Sequence, residues 1–512
     1  MGATTGAVGR SDAVRICAGP ETRDRARALA SRIREATDVP VFEVGSTGLA
    51  GIEPLVLVTR EGETAFYEAP TDERLEKLAE SLDASHEDAD AAVDHDPARE
   101  TLPLPETGPL AVGTRRVLAR CGWAAPGAPA DAGEFVFERI DDETADTVRN
   151  CGLLGRGRGD GSTDQPIATA WDLAREAEGD PVVVVNGNES DARNHTDHLL
   201  LESDPLAVLD GALTVANLVG GDDPADVVVY LNESETLAQE RVRAAVEALA
   251  DERDLDGIPE VVAGPDRFIA GEMTMALEAM EGKNRLEARL RPPTPAEVGL
   301  YGRPTVIHTP RTLAQVREAV RSPDTFDPEA ADPGTRLVTV SGDVDAPATV
   351  ELPTTASLSA ARDAVTVDGP LKLACVGGQF GGLTDTLSHE VSAPALARAN
   401  LGTDGAVELF GEHTCPVALA GTRTRFAYEE NCGRCVPCRE GSTQLVNLLR
   451  DVYDGQYARA KIQELARVMR ETSTCDFGRM ASRPATTAMA TFEADFVAHA
   501  EGRCPSGVCE GM

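Results

Sequence analysis

The sequence predicts a multidomain α/β protein that closes on a helical bundle, and three observations predict it. The chain has 512 residues, too many for one hydrophobic core. Between about 107 and 325, apolar runs suited to strands alternate with stretches of helical period. Past 335 the pattern changes to short β segments, and past 425 to helical spacing, where the cysteines also gather.

Residues 13–82 read β-α-β-β-α. Val14–Cys17, Val41–Val44 and Leu55–Thr59 are the predicted strands, Glu21–Ala36 a helix with arginines on its wet face, and Asp72–Leu82 a closing helix. Residues 83–106, rich in Asp, Ala, Pro and His, have no apolar period and are predicted to be an acidic linker. In the α/β domain, 107–330, Val182–Asn186 and Asp226–Asn232 suit buried parallel strands, with helices at Pro205–Leu218 and Thr236–Ala250. Residues 335–412 form a small α+β module of the ubiquitin-like kind. Its segments are Thr335–Ser341, Thr349–Leu352, Leu371–Val376 and Val407–Phe410, around one helix at Ser357–Val365. From 425 to 512, Glu440–Asp454, Tyr457–Thr472 and Ala485–Glu501 are expected to make the bundle.

The apolar fraction of 42% and charged fraction of 26% are those of globular protein. No apolar run approaches a membrane span and no secretory leader is visible, so a cytoplasmic, soluble protein is expected. The net charge is −38, and only four of 48 cationic side chains are lysine (Lys77, Lys283, Lys372 and Lys461). A carboxylate-rich, lysine-poor surface reads as a halophilic adaptation, because concentrated salt screens its self-repulsion. It offers nothing basic to displace phosphate counterions, which excludes nucleic acid as a partner.

Seven of the eleven cysteines lie between Cys415 and Cys509. In an intracellular chain, that pattern points to metal or cluster ligation rather than a disulfide framework. Residues 429–441 read EENCGRCVPCREG. Cys432, Cys435 and Cys438 at x2–x2 spacing place three thiolates around one point, as a [4Fe–4S] cluster needs, and Cys475 in TSTCDFGRMASRP supplies a distant fourth. A zinc site is the alternative, but it ordinarily pairs one C-x2-C with another.

This segment resembles the ESCGxCxPCRxG signature of the flavoprotein subunit of respiratory complex I. It is equally similar to the related diaphorase subunits of NAD-linked formate dehydrogenases and hydrogenases. The stretch around Cys475 and the RLRPPTPAEVGLYGRPTV run at 289–306 extend the likeness over most of the chain. The resemblance implies a thioredoxin-like N-terminal module, an FMN- and NADH-binding α/β domain, a soluble-ligand-binding β-grasp module at 335–412 and a cluster-bearing bundle.

It also implies site residues. The family's glycine-rich flavin loop corresponds to GRGRGDGSTDQPIATAW, which gives Gly155, Arg156, Gly157 and Arg158, with Ala170 where relatives carry a lysine. The family's acidic strand end corresponds to NGNESDARNHTDH, so Asn186 is expected at the flavin and Glu189 and Asp191 nearest the nicotinamide as catalytic groups. Gly271 and Glu272 match the family's GEE turn. Met273 replaces its second glutamate, which relaxes discrimination between NADH and NADPH. His308 and Thr309 replace an asparagine pair, Thr294 a stacking phenylalanine, Arg291 a lysine and Asn188 an aspartate.

In the N-terminal module only Cys17 remains of the four [2Fe–2S] ligands that the resemblance would place, with Thr22, Ser46 and Ala50 at the others. One thiol cannot hold a two-iron cluster, so this module is expected to be a docking scaffold. The tail resembles the family's Cys/His segment and, with Cys415, offers Cys415, His499, Cys504 and Cys509 as a zinc site. The function expected is that of a subunit passing electrons from NAD(P)H through FMN to the [4Fe–4S] cluster and on to a partner iron–sulfur subunit. The alternative is a non-enzymatic relative that keeps the cluster and drops the flavin.

Overall fold

The computed structural model describes residues 6–71, 73–74, 77, 88–141, 143–158, 164–220, 223–367 and 369–509. It is a mixed α/β protein of three sheets and a C-terminal set of helices.

The first sheet has the order β2-β1-β3-β4-β5. β1 (Asp12–Cys17) runs parallel to β2 (Val41–Val44) and antiparallel to β3 (Leu55–Arg60). α1 (Arg23–Ala36) makes the crossover, burying Ala26, Leu29, Ala30 and Ile33 on one stripe against the sheet. β4 (Glu63–Tyr67) and β5 (Ala91–Asp94) extend the antiparallel side. The linker expected over 83–106 is thereby corrected. Its Ala91–Asp94 pairs with β4, and Leu102 farther on is buried. Alternating small and charged residues gave no apolar period there, because an edge strand needs only one weakly apolar face. The closing helix expected at Asp72–Leu82 falls largely outside the described residues.

α2 (Thr144–Asn150) and α3 (Ile167–Glu176) lead into a four-stranded parallel sheet of order β8-β7-β6-β9. The central strands β6 (Val182–Gly187) and β7 (Asp226–Asn232) are valine-rich and buried on both faces, as strands covered by helices must be. β8 (Glu260–Gly264) and β9 (Thr305–His308) flank them. The covering helices are α4 (Thr196–Ser203), α5 (Pro205–Gly220), α6 (Thr236–Glu252), α7 (Met273–Met280) and α8 (Pro310–Arg321). Thr309 caps α8 by accepting from Thr312 N–H, with Pro310 at the first turn.

The third sheet, β11-β10-β14-β12-β13, comprises β10 (Thr335–Gly342), β11 (Ala348–Pro353), β12 (Leu373–Val376), β13 (Gly382–Thr384) and β14 (Ala406–Phe410), with α9 (Ala393–Arg398) before the last strand. The helix expected at Ser357–Val365 is a 3-10 segment, Leu358–Ala364.

The helical part is α10 (Pro416–Glu430), α11 (Val436–Tyr453), α12 (Arg459–Thr472), α13 (Asp476–Met480), α14 (Arg483–Thr491) and α15 (Glu493–Ala500). It begins at Pro416, ahead of the expected 425. The single helix expected over Ala485–Glu501 is two, broken at Phe492, whose φ of −118° and ψ of 38° leave the helical region.

Candidate functional site: a glycine-lined cavity joined to two cysteine clusters

The C-terminal end of β6, the first turn of α8 and the turn before α7 converge on one cavity. It is lined by Gly155, Arg158, Asn186, Gly271, Met273 and His308, among others. Asn186 donates Nδ2–H to the Gly271 carbonyl at 2.9 Å, while its Oδ1 is buried without a hydrogen-bond partner. A Cβ on Gly271 would stand 2.4 Å from the Asn188 carbonyl oxygen and 3.0 Å from Arg158 Nη1, so only glycine fits there. The Arg158 guanidinium lies 4.2 Å from the Phe268 ring centroid and donates to the Phe268 carbonyl at 2.5 Å. That side chain fills much of the space, leaving a cavity of about 40 Å³.

His308 accepts from Trp171 Nε1–H at 2.8 Å through Nε2. Indole only donates, so the neutral ring carries its proton on Nδ1. Burial pushes this imidazole down to about 4. The replacement for the family's asparagine is thus a fixed neutral histidine. Thr309 donates to the Arg156 carbonyl at 2.7 Å.

Four residues expected at the flavin or nicotinamide are engaged by protein partners. Arg156 contributes backbone to the cavity, but its buried guanidinium donates to the carbonyls of Leu154, Pro333 and Thr335 and pairs with Asp332 at 3.0 Å. Its charge is spent fastening the loop to β10. Glu189 accepts from Asp197 N–H, His198 N–H and Thr196 Oγ1–H at the start of α4, and pairs with Arg311 at 3.2 Å. It lines the cavity as a positioning group. Burial, then the neighbouring Asp197, push its carboxyl well above the ordinary range. Asp191 points away from the cavity, accepting from Arg193 Nη1 at 2.8 Å and from Gln379 N–H at 2.9 Å in the β12–β13 connection. It ties the parallel sheet to the third sheet. Glu272 caps α7, accepting from Thr274 N–H and Met275 N–H, both at 2.9 Å. Gly157 lies on the described side of a loop whose residues 159–163 are outside the description.

From the cavity, four phenylalanines lead toward the cysteine loop. Phe268 meets Phe380 at 5.6 Å, Phe426 at 5.3 Å and Phe477 at 6.0 Å, and Phe380 meets Phe477 at 4.8 Å, all edge to face. Phe477 follows Cys475, to which its backbone N–H donates along with that of Gly478. Cys438 and Cys475 are buried, Cys432 and Cys435 half-buried. Cys435 is the cap residue of α11 and Cys475 that of α13, so helix N-termini face both sulfurs.

The four sulfurs lie in one another's field. The Cys438 thiol and the Thr474 backbone pull Cys435 down to about 4 against its burial. Cys438 is pushed far up, first by Cys435, then by burial and by the charges of Cys475 and Cys432. Four cysteine sulfurs gathered at one place, with backbone donors at Cys435 and Cys475, are a donor set that a cationic iron–sulfur core satisfies.

The four residues expected at a zinc site form a second cluster. The ligand atoms of Cys415, His499, Cys504 and Cys509 all lie within 4.8 Å of one another. Cys415 Sγ is 3.4 Å from His499 Nε2, and His499 Nδ1 is 2.6 Å from the Asp495 carbonyl oxygen. A carbonyl behind the ring leaves Nε2 as the nitrogen that faces Cys415. Burial opposes ionisation of Cys504, but the backbone N–H groups of Cys509, Val508 and Ser506 bring its thiol down to about 6.

In the N-terminal sheet Cys17 is fully buried, 3.1 Å from the Gly122 carbonyl oxygen. Beside it, Glu53 accepts from Ser46 Oγ, Thr47 Oγ1, Thr47 N–H and Gly19 N–H at 2.7–2.8 Å. A buried carboxylate and its four donors hold together the loops where the sequence lacks three thiols.

A family model for the NADH-ubiquinone oxidoreductase-F iron-sulfur binding region matches residues 418–499, and one for the Nuo51 FMN-binding domain matches residues 148–318. The second NADH-quinone oxidoreductase F subunit of Rhizobium meliloti is 32% identical over 72% of this chain and 91% of its own. The corresponding F subunit of Streptomyces coelicolor is 31% identical over 70% of this chain and 83% of its own. The NADP-reducing hydrogenase subunit HndC of Solidesulfovibrio fructosivorans is 27% identical over 72% and 79%. A chain of an NAD+-reducing [NiFe]-hydrogenase shares the fold with a TM-score of 0.65 at 23% identity, covering 96% of this chain and 85% of that one. The chain is a flavoprotein of the oxidoreductase class, and it belongs to the family of NADH-quinone oxidoreductase F subunits.

Proposed function

We propose that this chain is the electron-entry subunit of a multi-subunit redox complex, oxidising NADH or NADPH and passing electrons to a partner iron–sulfur protein. Bound FMN supplies the conversion of a two-electron hydride donor into single electrons, and a [4Fe–4S] cluster carries them onward. The observation that carries this reading is the physical continuity of the cavity with the four-cysteine site through Phe268, Phe380, Phe426 and Phe477.

The residues fit the flavin. Asn186 has a buried acceptor in need of a donor, Gly271 leaves room for a ring at close approach, and His308 presents a neutral imidazole. Arg158 is the guanidinium at the cavity that can meet a phosphate, once its side chain leaves Phe268. Gly155 and Gly157 let backbone N–H groups approach. Glu189, held by Arg311 and the start of α4, orients the strand end beside the cavity rather than exchanging a proton. Glu272 fixes the α7 turn. Met273, at the cavity wall, adds no charge against a 2′-phosphate.

Cys432, Cys435, Cys438 and Cys475 would hold the cluster, and Cys415, His499, Cys504 and Cys509 a structural zinc that closes the tail onto α10. The first sheet is a thioredoxin-like module without a cluster, and the third a β-grasp module. The acidic, lysine-poor surface suits a salt-rich cytoplasm. Anaerobic purification with flavin, iron and zinc analysis tests the whole reading. Flavin absorbance that bleaches with NADH is expected. An intact cluster with no bleaching would leave the flavin-free electron carrier or scaffold as the function.

A further inference from the structure

A second, unrelated cavity of about 260 Å³ lies where the segment after the first sheet meets α5 and α8. Five guanidinium groups line it, those of Arg115, Arg116, Arg120, Arg317 and Arg321, against the carboxylates of Glu100, Asp204 and Glu318. This is the reverse of the chain as a whole, in which 86 acidic side chains face 48 basic ones.

The pairing is uneven. Arg120 is matched to Asp204 at 2.5 Å, and Arg317 to Asp210 at 2.8 Å and Glu318 at 3.0 Å, all buried or nearly so. Arg115, Arg116 and Arg321 form no ion pair among the described residues. Arg115 Nη2 donates to the carbonyls of Thr47 and Cys121, while its Nε is buried with no hydrogen-bond partner. Arg116 Nη1 donates to the Thr325 carbonyl at 2.8 Å, leaving its other donors uncommitted. In so acidic a chain a carboxylate partner is easily supplied, so three unpaired guanidiniums around one cavity call for an anion from outside. A planar carboxylate is satisfied by a single arginine fork, whereas donors arriving from several sides match a tetrahedral oxyanion.

We propose that this cavity binds a phosphate-type oxyanion, which joins the segment carrying Arg115 and Arg116 to the end of α8 at Arg321. Because Arg115 also holds the Thr47 carbonyl in the loop after β2, the bound anion fixes that loop against the α/β domain.

The test is calorimetric titration of inorganic phosphate and pyrophosphate into the full chain at constant potassium chloride, with thermal melting in parallel. Saturable binding is expected, with a rise in Tm. In the Arg116→Ala/Arg321→Ala double variant the affinity should fall at least about tenfold, as loss of charge-assisted hydrogen bonds requires. Visible absorbance of the cofactors, unchanged in the variant, shows that it is folded. Should Arg116→Ala fold poorly, Arg321→Ala alone, at an exposed side chain, is expected to weaken binding in the same direction. The absence of saturable heat with the unaltered protein, or equal affinity in a folded variant, overturns the assignment.

Discussion

Arg158 rests its guanidinium 4.2 Å from the centroid of the Phe268 ring and donates to that residue's own carbonyl. Two residues earlier, Arg156 spends its donors on Leu154, Pro333, Thr335 and Asp332. The two arginines of one loop therefore separate by experiment. Arg158→Ala is expected to weaken FMN binding by about 1.5–3 kcal/mol, the range for a hydrogen bond to a charged group, with little change in Tm. Arg156→Ala should lower Tm markedly, because the carbonyls of Leu154, Pro333 and Thr335 lose their donor, while among the described residues Asp332 keeps only Arg336 as its cation. Titration of FMN into flavin-stripped protein decides between them. Tighter binding by Arg158→Ala would mean that the side chain only obstructs.

Cys432→Ser, Cys435→Ser, Cys438→Ser and Cys475→Ser should each remove cluster iron, because the described residues offer no further thiol at those positions. Iron retained at the unaltered stoichiometry in two of the four would refute the ligand set.

Zinc should be present at about one per chain and should leave with Cys504→Ser or His499→Ala, while iron and the cluster spectrum stay. A tail that holds no zinc in protein with full iron would show its thiols to be free.

Glu53 predicts a purely structural outcome. Removing its carboxylate in Glu53→Ala leaves Ser46, Thr47 and Gly19 donors unmet in a buried site, at about 1–3 kcal/mol for each that finds no water. Urea unfolding should show the loss. Electron paramagnetic resonance of the reduced protein should show no [2Fe–2S] signal before or after the change.

Glu202 gives the chain a pH dependence. Burial, with Glu235 and Glu53 adding to it against Arg241 and Arg23, raises its carboxyl to about 8. The folded form thus binds this proton more tightly than the unfolded chain, where an ordinary glutamate titrates near about 4.3. The stability it contributes is full below the unfolded value and is lost as pH climbs toward about 8. Glu202→Gln should flatten that decline in Tm and leave the melting temperature near pH 5 about where it was. An unchanged slope would place the titrating group elsewhere.

Much of this was legible in advance because it rests on short-range rules. The Cys432–Cys438 spacing, the valine runs of β6 and β7, and the grouping of Cys415 with the tail all depend on local pattern or on residue type. Arg311 was not legible. It joins Asp197 at 2.8 Å, Glu189 at 3.2 Å and the Asp404 carbonyl, across more than ninety residues in each direction, and nothing near it in sequence marks that role. The anchoring of Glu189 and Asp191 was hidden for the same reason. A carboxylate in a family position looks available until its partners are known, and theirs lie in α4, α8 and the β12–β13 connection. The strand β5 escaped because small and acidic residues at a sheet edge carry no periodicity.

The four rings between Arg158 and Cys475 also set what can travel between the two sites. Phenylalanine side chains have neither a proton to give nor a lone pair to receive one, and Phe380 and Phe477 are nearly inaccessible to solvent. Oxidation of a nicotinamide liberates charge of both signs in the cavity. Electrons can tunnel through hydrocarbon, while protons need a relay of polar atoms or water, and the four phenyl side chains are not such a relay. The tetrad is therefore a filter by particle: its hydrocarbon lets the electron pass inward and gives the proton no side-chain carrier along the same line.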